Sequence, residues 1–416
     1  MITTDRRTSR AAIVVKLVCI SGLFLLLCVN VISPLHAAQS IKIGVVLSLT
    51  GWGGGAGTPI LEAMQVMTEK TNREGGVLGR PIELYVEDDQ SNPTNAAIAA
   101  TKLTRDKGVS LVLGSAFTNM CMPMLPIFEK EHVLNLAFGA GRDITIPLKK
   151  WVFRAGALTD EQLSPALLKF VVEKIGARNI ALLHSTDASG LMGAKGIKEG
   201  APQYGVKVII EEQFEPNDTS MIAQLTRVKA SRPDAIVLYT STNPAVVVAK
   251  NYQQLGMDSI PVVGSHGFPT PDFIRLAGDS AKTWIMMGPK VAIADKLPAD
   301  DAYRKTYYDP FMVLLRKKYG PTKEFKSFHG HGATSIAMVV AILNKAKTDD
   351  RAALRDAVET LSIDTMSGRF TYSPTNHDGA DTSFYGPLII KHGFFWPWQY
   401  RDSEEIPANP NAPAFP

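Results

Sequence analysis

Ile41-Lys42-Ile43-Gly44-Val45-Val46-Leu47-Ser48-Leu49-Thr50-Gly51-Trp52-Gly53-Gly54-Gly55-Ala56-Gly57 is the stretch that decides the fold. Its first seven residues form a short apolar, β-rich run, the pattern of a strand. A glycine-rich loop follows, and then Ile60, Met64, Met67 and Thr71 recur at helical spacing. Strand, glycine turn and helix make the opening half of a βαβ unit.

Outward from this unit the alternation continues. Strand-type runs at 81–86, 109–113 and 133–137 alternate with helical spacing at 95–106 and 120–131. That order predicts a parallel sheet covered on both faces. Asn92-Pro93 reads as an N-cap followed by proline in the first turn, and Gly75-Gly76 with Gly79 before Pro81 as a sharp helix exit. After Trp151-Val152-Phe153-Arg154 a second series starts, with helices at 161–175, 190–204, 221–230 and 244–255 and strands at 180–184, 206–211, 235–239 and 261–264. The fold class is therefore α/β, with two Rossmann-like lobes. Past 284–287 lies a helical block at 300–319, 333–347 and 351–361, with too few strands to stand alone. It belongs back on the first lobe, so the chain crosses between lobes more than once. Residues 370–390 are turn-rich with two strand-like runs, and the proline-rich tail 401–416 predicts flexibility.

Towards the N-terminus, Arg6, Arg7, Arg10 and Lys16 precede a largely apolar, uncharged run at 17–32, and small residues stand at Ala37 and Ala38. This reads as a secretory signal peptide over residues 1–38, with an uncleaved anchor as the alternative, since Leu35 or His36 would occupy the −3 position. The chain holds 44 Lys+Arg against 40 Asp+Glu; the leader takes four bases and Asp5 with it, leaving 40 against 39. A near-neutral mature protein of 378 residues has no electrostatic footprint for nucleic acid or an anionic membrane. Cys19 and Cys28 leave with the leader, so Cys121 has no internal disulfide partner and stability must come from packing.

The glycine run admits a chemical reading. Gly51, Gly53 and Ala56 match G-x-G-x-x-A after a strand, and Asp88 or Asp89 ends the next strand where a dinucleotide fold places its ribose-binding acid. The other reading is a ligand-facing or flexible loop, favoured because nicotinamide cofactors are not normally available to an exported protein. His329-Gly330-His331 has no third ligand beside it and makes a poor metal site. The nucleophile elbow, H-E-x-x-H and P-loop are absent from the sequence. Cys121, within Met120-Cys121-Met122, reads as a buried apolar residue. No catalytic set emerges, and the expected cofactor and metal content is none.

An exported two-lobed α/β chain suggests solute capture between facing strand ends. The runs 41–51, Asn72-Arg73-Glu74-Gly75-Gly76-Val77-Leu78-Gly79-Arg80-Pro81 and Asp88-Asp89 resemble periplasmic leucine/isoleucine/valine-type binding proteins of ABC importers. So do Asp218-Thr219-Ser220, Arg232-Pro233-Asp234-Ala235-Ile236 and Asp364-Thr365-Met366-Ser367-Gly368-Arg369-Phe370, and the likeness spans about residues 41–400. The resemblance implies a type I periplasmic-binding fold with three interlobe crossings, near Ala155-Gly156, Met287-Gly288 and Thr365-Met366. Lobe 1 would be 39–155 plus 288–365, and lobe 2 156–287 plus 366–400. It further implies a monomer in the periplasm that delivers a small carboxylate to ABC permease subunits.

Carried over residue by residue, the resemblance puts the carboxylate-binding hydroxyl at Thr118, with Asn119 opening the helix beside it. The second contact of the first lobe falls on Phe138, Gly139 and Ala140, and the acid that receives a ligand's ammonium falls on His266. The aromatic cleft positions of the second lobe fall on Ser189 and Thr242, while Trp52 and Phe138 offer ring faces from the first. Losing the acid and a threonine hydroxyl leaves an α-ammonium without partners, which costs several kcal/mol. The expected ligand is then an aromatic or similarly bulky acid, with a branched-chain amino acid as the family's alternative. The rival functions are an exported NAD(P)-dependent oxidoreductase and a sensory ligand-binding module.

Overall fold

A computed structural model describes residues 39–156, 158–381 and 384–404, together with the backbone but not the side chains of Asp160, Glu161 and Thr242. The expected signal peptide at 1–38 and the tail from 405 lie outside the described residues. No helix among the described residues is long and apolar enough to cross a membrane.

Strands run in chain order as β1 Ile41–Leu47, β2 Ile82–Asp88, β3 Leu111–Gly114, β4 Leu134–Ala137, β5 Val152–Arg154, β6 Asn179–Ser185, β7 Lys207–Phe214, β8 Ala235–Tyr239, β9 Val262–Gly264, β10 Ile285–Pro289, β11 Ser362–Thr365, β12 Gly368–Thr371, β13 Tyr385–Lys391 and β14 Phe394–Pro397. They form a five-stranded sheet ordered β2-β1-β3-β4-β5, a seven-stranded sheet ordered β14-β13-β10-β9-β8-β6-β7, and the hairpin β11-β12. All pairs of the first sheet are parallel. In the second, β6 to β10 are parallel and β13 and β14 run antiparallel at one side. This is the expected α/β class with two Rossmann-like lobes.

The sequence explains the elements. β1, β3, β4 and β8 are buried almost throughout, as strands covered on two faces must be. Asn92 caps the helix Pro93–Thr101 by accepting the N–H groups of Thr94 and Asn95. Pro123 and Pro126 divide the run at 118–131 into the helices Thr118–Cys121 and Leu125–Glu131 with a 3-10 turn between them. Gly114 ends β3 at φ +104, where an added Cβ would lie 2.0 Å from the Val46 carbonyl oxygen, so neighbouring strands demand glycine there.

Of the helical block after β10, Tyr308, Phe311, Met312 and Leu315 share a core with residues of the second sheet, and the two later helices pack on the first. The helices His329–Ala346 and Arg351–Val358 contribute Ile336, Val339, Ile342, Leu343, Leu354 and Val358 to the core of the first sheet. Phe370 and Tyr372 join that same core. The chain therefore stays on the first sheet beyond Thr365-Met366 and rejoins the second only with β13. The physical reason is the β11-β12 hairpin, which carries the two rings back under the first sheet. At the far end, Lys391 Nζ donates to the carbonyls of Arg401 and Ser403, so the first residues of the expected flexible tail are tied to β13.

Candidate functional site: a cavity between the strand ends of two sheets

In parallel sheets the loops that follow the strands collect at the carboxyl edge. Here those loops from both sheets face one cavity. The first sheet supplies Ala116, Phe117 and Thr118 after β3 and Phe138 and Ala140 after β4. The second supplies Asp187 and Ser189 after β6, Thr240 and Ser241 after β8, Ser265, His266 and Gly267 after β9, and Tyr385 of β13. Ser327, Phe328 and His331, at the start of the helix His329–Ala346, complete the lining.

The first-sheet wall is held by internal bonds. Asp89 is fully buried; Ser48 Oγ and Ser115 Oγ each donate to it at 2.6 Å and Ser91 N at 2.9 Å, which ties the ends of β1 and β3 together. Burial outweighs these bonds and raises its carboxyl above the usual range. Thr118 Oγ1 accepts the Gly141 N–H at 2.9 Å, which leaves its own hydroxyl proton to donate elsewhere. Arg154 is buried at the end of β5 and donates to the carbonyls of Gly139 and Gly141, so it fixes the loop that carries Phe138 and Ala140.

The second-sheet wall is different. Thr240 Oγ1, Ser241 Oγ and His266 Nδ1 are buried and have no hydrogen-bond partner. Orphaned buried polar atoms are rare, and three at one cavity point to a ligand that completes them. Asp187 is not among them: its oxygens accept Gly190 N and Ser185 Oγ, both at 2.9 Å, as an N-cap. The two lining histidines are neutral at pH 7. Burial, then the charges of His331 and Arg154, push His266 down to about 3, and burial alone pushes His331 down to about 4. Ring surface comes from Phe138, whose centroid lies 6.3 Å from that of His331, and from Tyr385, 6.0 Å from His266.

The two lobes touch across the cavity. Asn243 Nδ2 donates to the Trp52 carbonyl at 3.3 Å, and a methyl group on Gly141 would sit 2.6 Å from Met192 Sδ. On another side Lys326 Nζ pairs with Asp272 at 2.5 Å, and Ser327 Oγ donates to the Pro269 carbonyl. Glu62 anchors this loop to the first lobe. Burial would raise its carboxyl, but bonds from His329 and Lys323 outweigh that and hold it below the ordinary range.

Of the side chains singled out from sequence, Thr118, Phe138, Ala140, Ser189 and His266 meet at this cavity. Trp52, Asn119 and Gly139 do not line it. The Trp52 ring packs on Phe117, centroids 4.5 Å apart, and it is Phe117 that faces the cavity. Gly139 lies against the backbone of Thr118, with room for no side chain. The Thr242 side chain lies outside the described residues. His331, Tyr385, Thr240, Ser241 and Phe328 were missed; the only signal was the histidine pair at 329–331, read as a poor metal site. Among the described residues no group of three metal-ligating side chains occurs.

The local bonding of the glycine loop favours the loop reading over the dinucleotide alternative. Asp88 accepts Leu49 N at 2.9 Å and Thr50 Oγ1 at 2.7 Å, Asp89 is engaged as above, and neither carboxylate is free for a ribose. The glycines serve packing instead: a Cβ on Gly57 would fall 2.0 Å from the Ser48 carbonyl oxygen. Cys121 is fully buried, and burial pushes its thiol up to about 11, which fits an apolar role rather than a nucleophile.

Comparison with known proteins agrees with this architecture. The chain is 24% identical over 340 residues to the leucine-, isoleucine-, valine-, threonine- and alanine-binding protein of Pseudomonas aeruginosa, covering 81% of this chain and 86% of that one. An extracellular ligand-binding receptor from Rhodopseudomonas palustris HaA2 superposes with a TM-score of 0.79 at 26% identity, over 86% of this chain and 99% of the other. A solute-binding protein of an ABC transporter from R. palustris BisB5, solved with 3,4-dihydroxybenzoic acid, superposes with a TM-score of 0.75 at 21% identity, over 86% and 95%. With a sequence profile matching residues 40–385, the chain belongs to the periplasmic binding protein family.

Proposed function

We propose that the protein is the solute-binding component of an ABC importer, exported to the periplasm, which captures a small aromatic carboxylate in the interlobe cavity and passes it unchanged to a permease. The observation that carries this reading is the trio of unpartnered polar atoms, Thr240 Oγ1, Ser241 Oγ and His266 Nδ1, in one cavity with the rings of Phe117, Phe138, Phe328 and Tyr385. The carboxylate accepts from Thr118, whose hydroxyl proton is free. A hydrogen-bonding group at the ligand's far end, such as a ring hydroxyl, completes the second wall. Phe117 and Phe328, which keep part of their surface open in the cavity, each contribute up to roughly 1.5–3 kcal/mol when a ligand covers them.

An α-amino acid fits less well. The carboxylate lining the cavity, Asp187, has its oxygens engaged as an N-cap, and both lining histidines are neutral. A buried ammonium without a partner costs several kcal/mol. That the P. aeruginosa relative is a branched-chain amino-acid binder makes the amino acid the alternative to beat, and the 3,4-dihydroxybenzoic acid of the R. palustris neighbour supports the acid. Mechanistically, a ligand that touches both walls stabilises the closed arrangement over the open one by its differential contacts, and hinge bending at the crossings follows. The protein acts as a monomer, with no chemistry of its own and no cofactor.

A thermal-shift panel of hydroxybenzoates and branched-chain amino acids tests the reading. A matching acid at ~100 times its Kd stabilises the fold by ~2.7 kcal/mol, a clear rise in Tm. Stabilisation by leucine, isoleucine or valine alone contradicts it.

A further inference from the structure

We infer that Arg154, which does not itself line the cavity, is the charge that makes the cavity select an anion, acting from one layer behind the first wall while it fixes that wall's loop. The inference rests on the carboxylate reading above.

The lining contains no lysine or arginine. Arg154 lies directly behind it, fully buried at the end of β5. Its guanidinium donates to the Gly139 carbonyl, to the Gly141 carbonyl at 2.8 Å and to Thr145 Oγ1 at 3.3 Å. Gly141 in turn donates its N–H to Thr118 Oγ1 at 2.9 Å. A single residue, Gly141, therefore separates the guanidinium from the hydroxyl proposed to hold the carboxylate, and over that short path the buried positive charge favours negative charge at Thr118.

The counter-charge sits on the other side. Arg154 Nε donates to Asp378 Oδ1 at 2.8 Å, but Asp378 is 21% exposed whereas Arg154 is 0% exposed. Water and salt screen the aspartate more than the arginine, so the uncompensated part of the pair faces inward as positive charge. His266, across the cavity, feels that charge as one contribution to its depressed basicity. Arg154 also joins the lobe connections: its N–H donates to the His377 carbonyl and its carbonyl accepts the Tyr372 hydroxyl, both from the segment leading to β13.

Titration calorimetry with 4-hydroxybenzoate and its uncharged amide, 4-hydroxybenzamide, separates charge from fit. The unaltered chain binds the acid more tightly than the amide. Arg154→Met lowers acid affinity about tenfold more than amide affinity, the scale of one charge acting through protein at short range. Arg154→Lys restores the acid-to-amide ratio while both ligands remain weaker, because lysine keeps the charge but not the fork that holds two carbonyls. Equal weakening of acid and amide by Arg154→Met, or no restoration by Arg154→Lys, overturns the inference and leaves the proposed function standing. If the unaltered chain binds neither compound, the proposed function falls and the inference with it. Should Arg154→Met not fold, Asp378→Asn tests the same point from the solvent side: it raises the acid-to-amide ratio several-fold, and an unchanged or lower ratio overturns the inference.

Discussion

The two walls of the cavity use their polar groups in opposite ways. On the first wall Thr118 is bonded to Gly141, and behind that wall Ser48 and Ser115 are bonded to Asp89 and Arg154 to the 139–141 carbonyls. On the second, Thr240 Oγ1, Ser241 Oγ and His266 Nδ1 have no partner. A wall with satisfied bonds is rigid before a ligand arrives. A wall with orphaned bonds is incomplete until one does, and its groups define what the ligand must offer. On the proposed function the first wall sets the ligand's position and the second its identity.

Four changes break or sharpen that contrast, in falling order of effect. Phe138→Ala removes a ring that is 1% exposed and belongs to the first lobe's core. It costs about 3–5 kcal/mol in urea denaturation, and a loss below about 1 kcal/mol would show that the first wall is not preorganised by packing. Acidification comes next. His266 and His331 stand near 3 and 4 against an ordinary 6.5, so the native state keeps them neutral while the unfolded chain takes up protons below about 6.5. Their contribution to stability is complete above that pH and is lost as pH falls towards 4. His331→Gln flattens this slope in Tm-against-pH curves; a slope left unchanged assigns the loss elsewhere.

The sharpest pair is isosteric. Thr118→Val orphans the Gly141 N–H and costs about 1–3 kcal/mol in stability without ligand. Thr240→Val removes an atom that was already unpartnered, so the empty protein is unchanged or more stable, while ligand affinity falls by about tenfold. Equal stability losses in the two variants would erase the difference between the walls. The smallest effect is at the rim, where Asn243 donates to the Trp52 carbonyl from an exposed position. Asn243→Ala raises Kd two- to fivefold, about 0.5–1 kcal/mol, through a faster dissociation rate in stopped-flow traces.

The contrast also explains what the sequence could disclose. Strand ends are legible because apolar runs and turn residues mark them, and in a parallel sheet the residue after a strand end faces the cleft. The family resemblance points to Thr118, Phe138 and Ala140 after β3 and β4 and to Ser189 and His266 after β6 and β9, all of which stand where that geometry puts cleft residues. His331 and Tyr385 come from a helix N-terminus and an antiparallel strand, and only the packing of remote segments brings them in. Trp52 misled because a tryptophan in a glycine loop reads as an exposed ring, whereas Phe117 covers it. At Asp89 the sequence position alone does not tell a waiting carboxylate from one already bonded to two serines. The helix Pro271–Ala277 went unread although its signal was local: Thr270 Oγ1 accepts Phe273 N, with proline at the first position. Phe370 and Tyr372 join the core of the first sheet, and nothing local in the sequence marks them as doing so.

The central claim is that this cavity takes up an aromatic carboxylate and releases it intact. Isothermal titration of the purified protein with 4-hydroxybenzoate, followed by chromatographic recovery of the solute, tests it most directly. The account predicts saturable one-to-one binding, no binding of leucine at the same concentration, and full recovery of unaltered acid. Binding of leucine but not of the acid, or recovery of a transformed product, would contradict it.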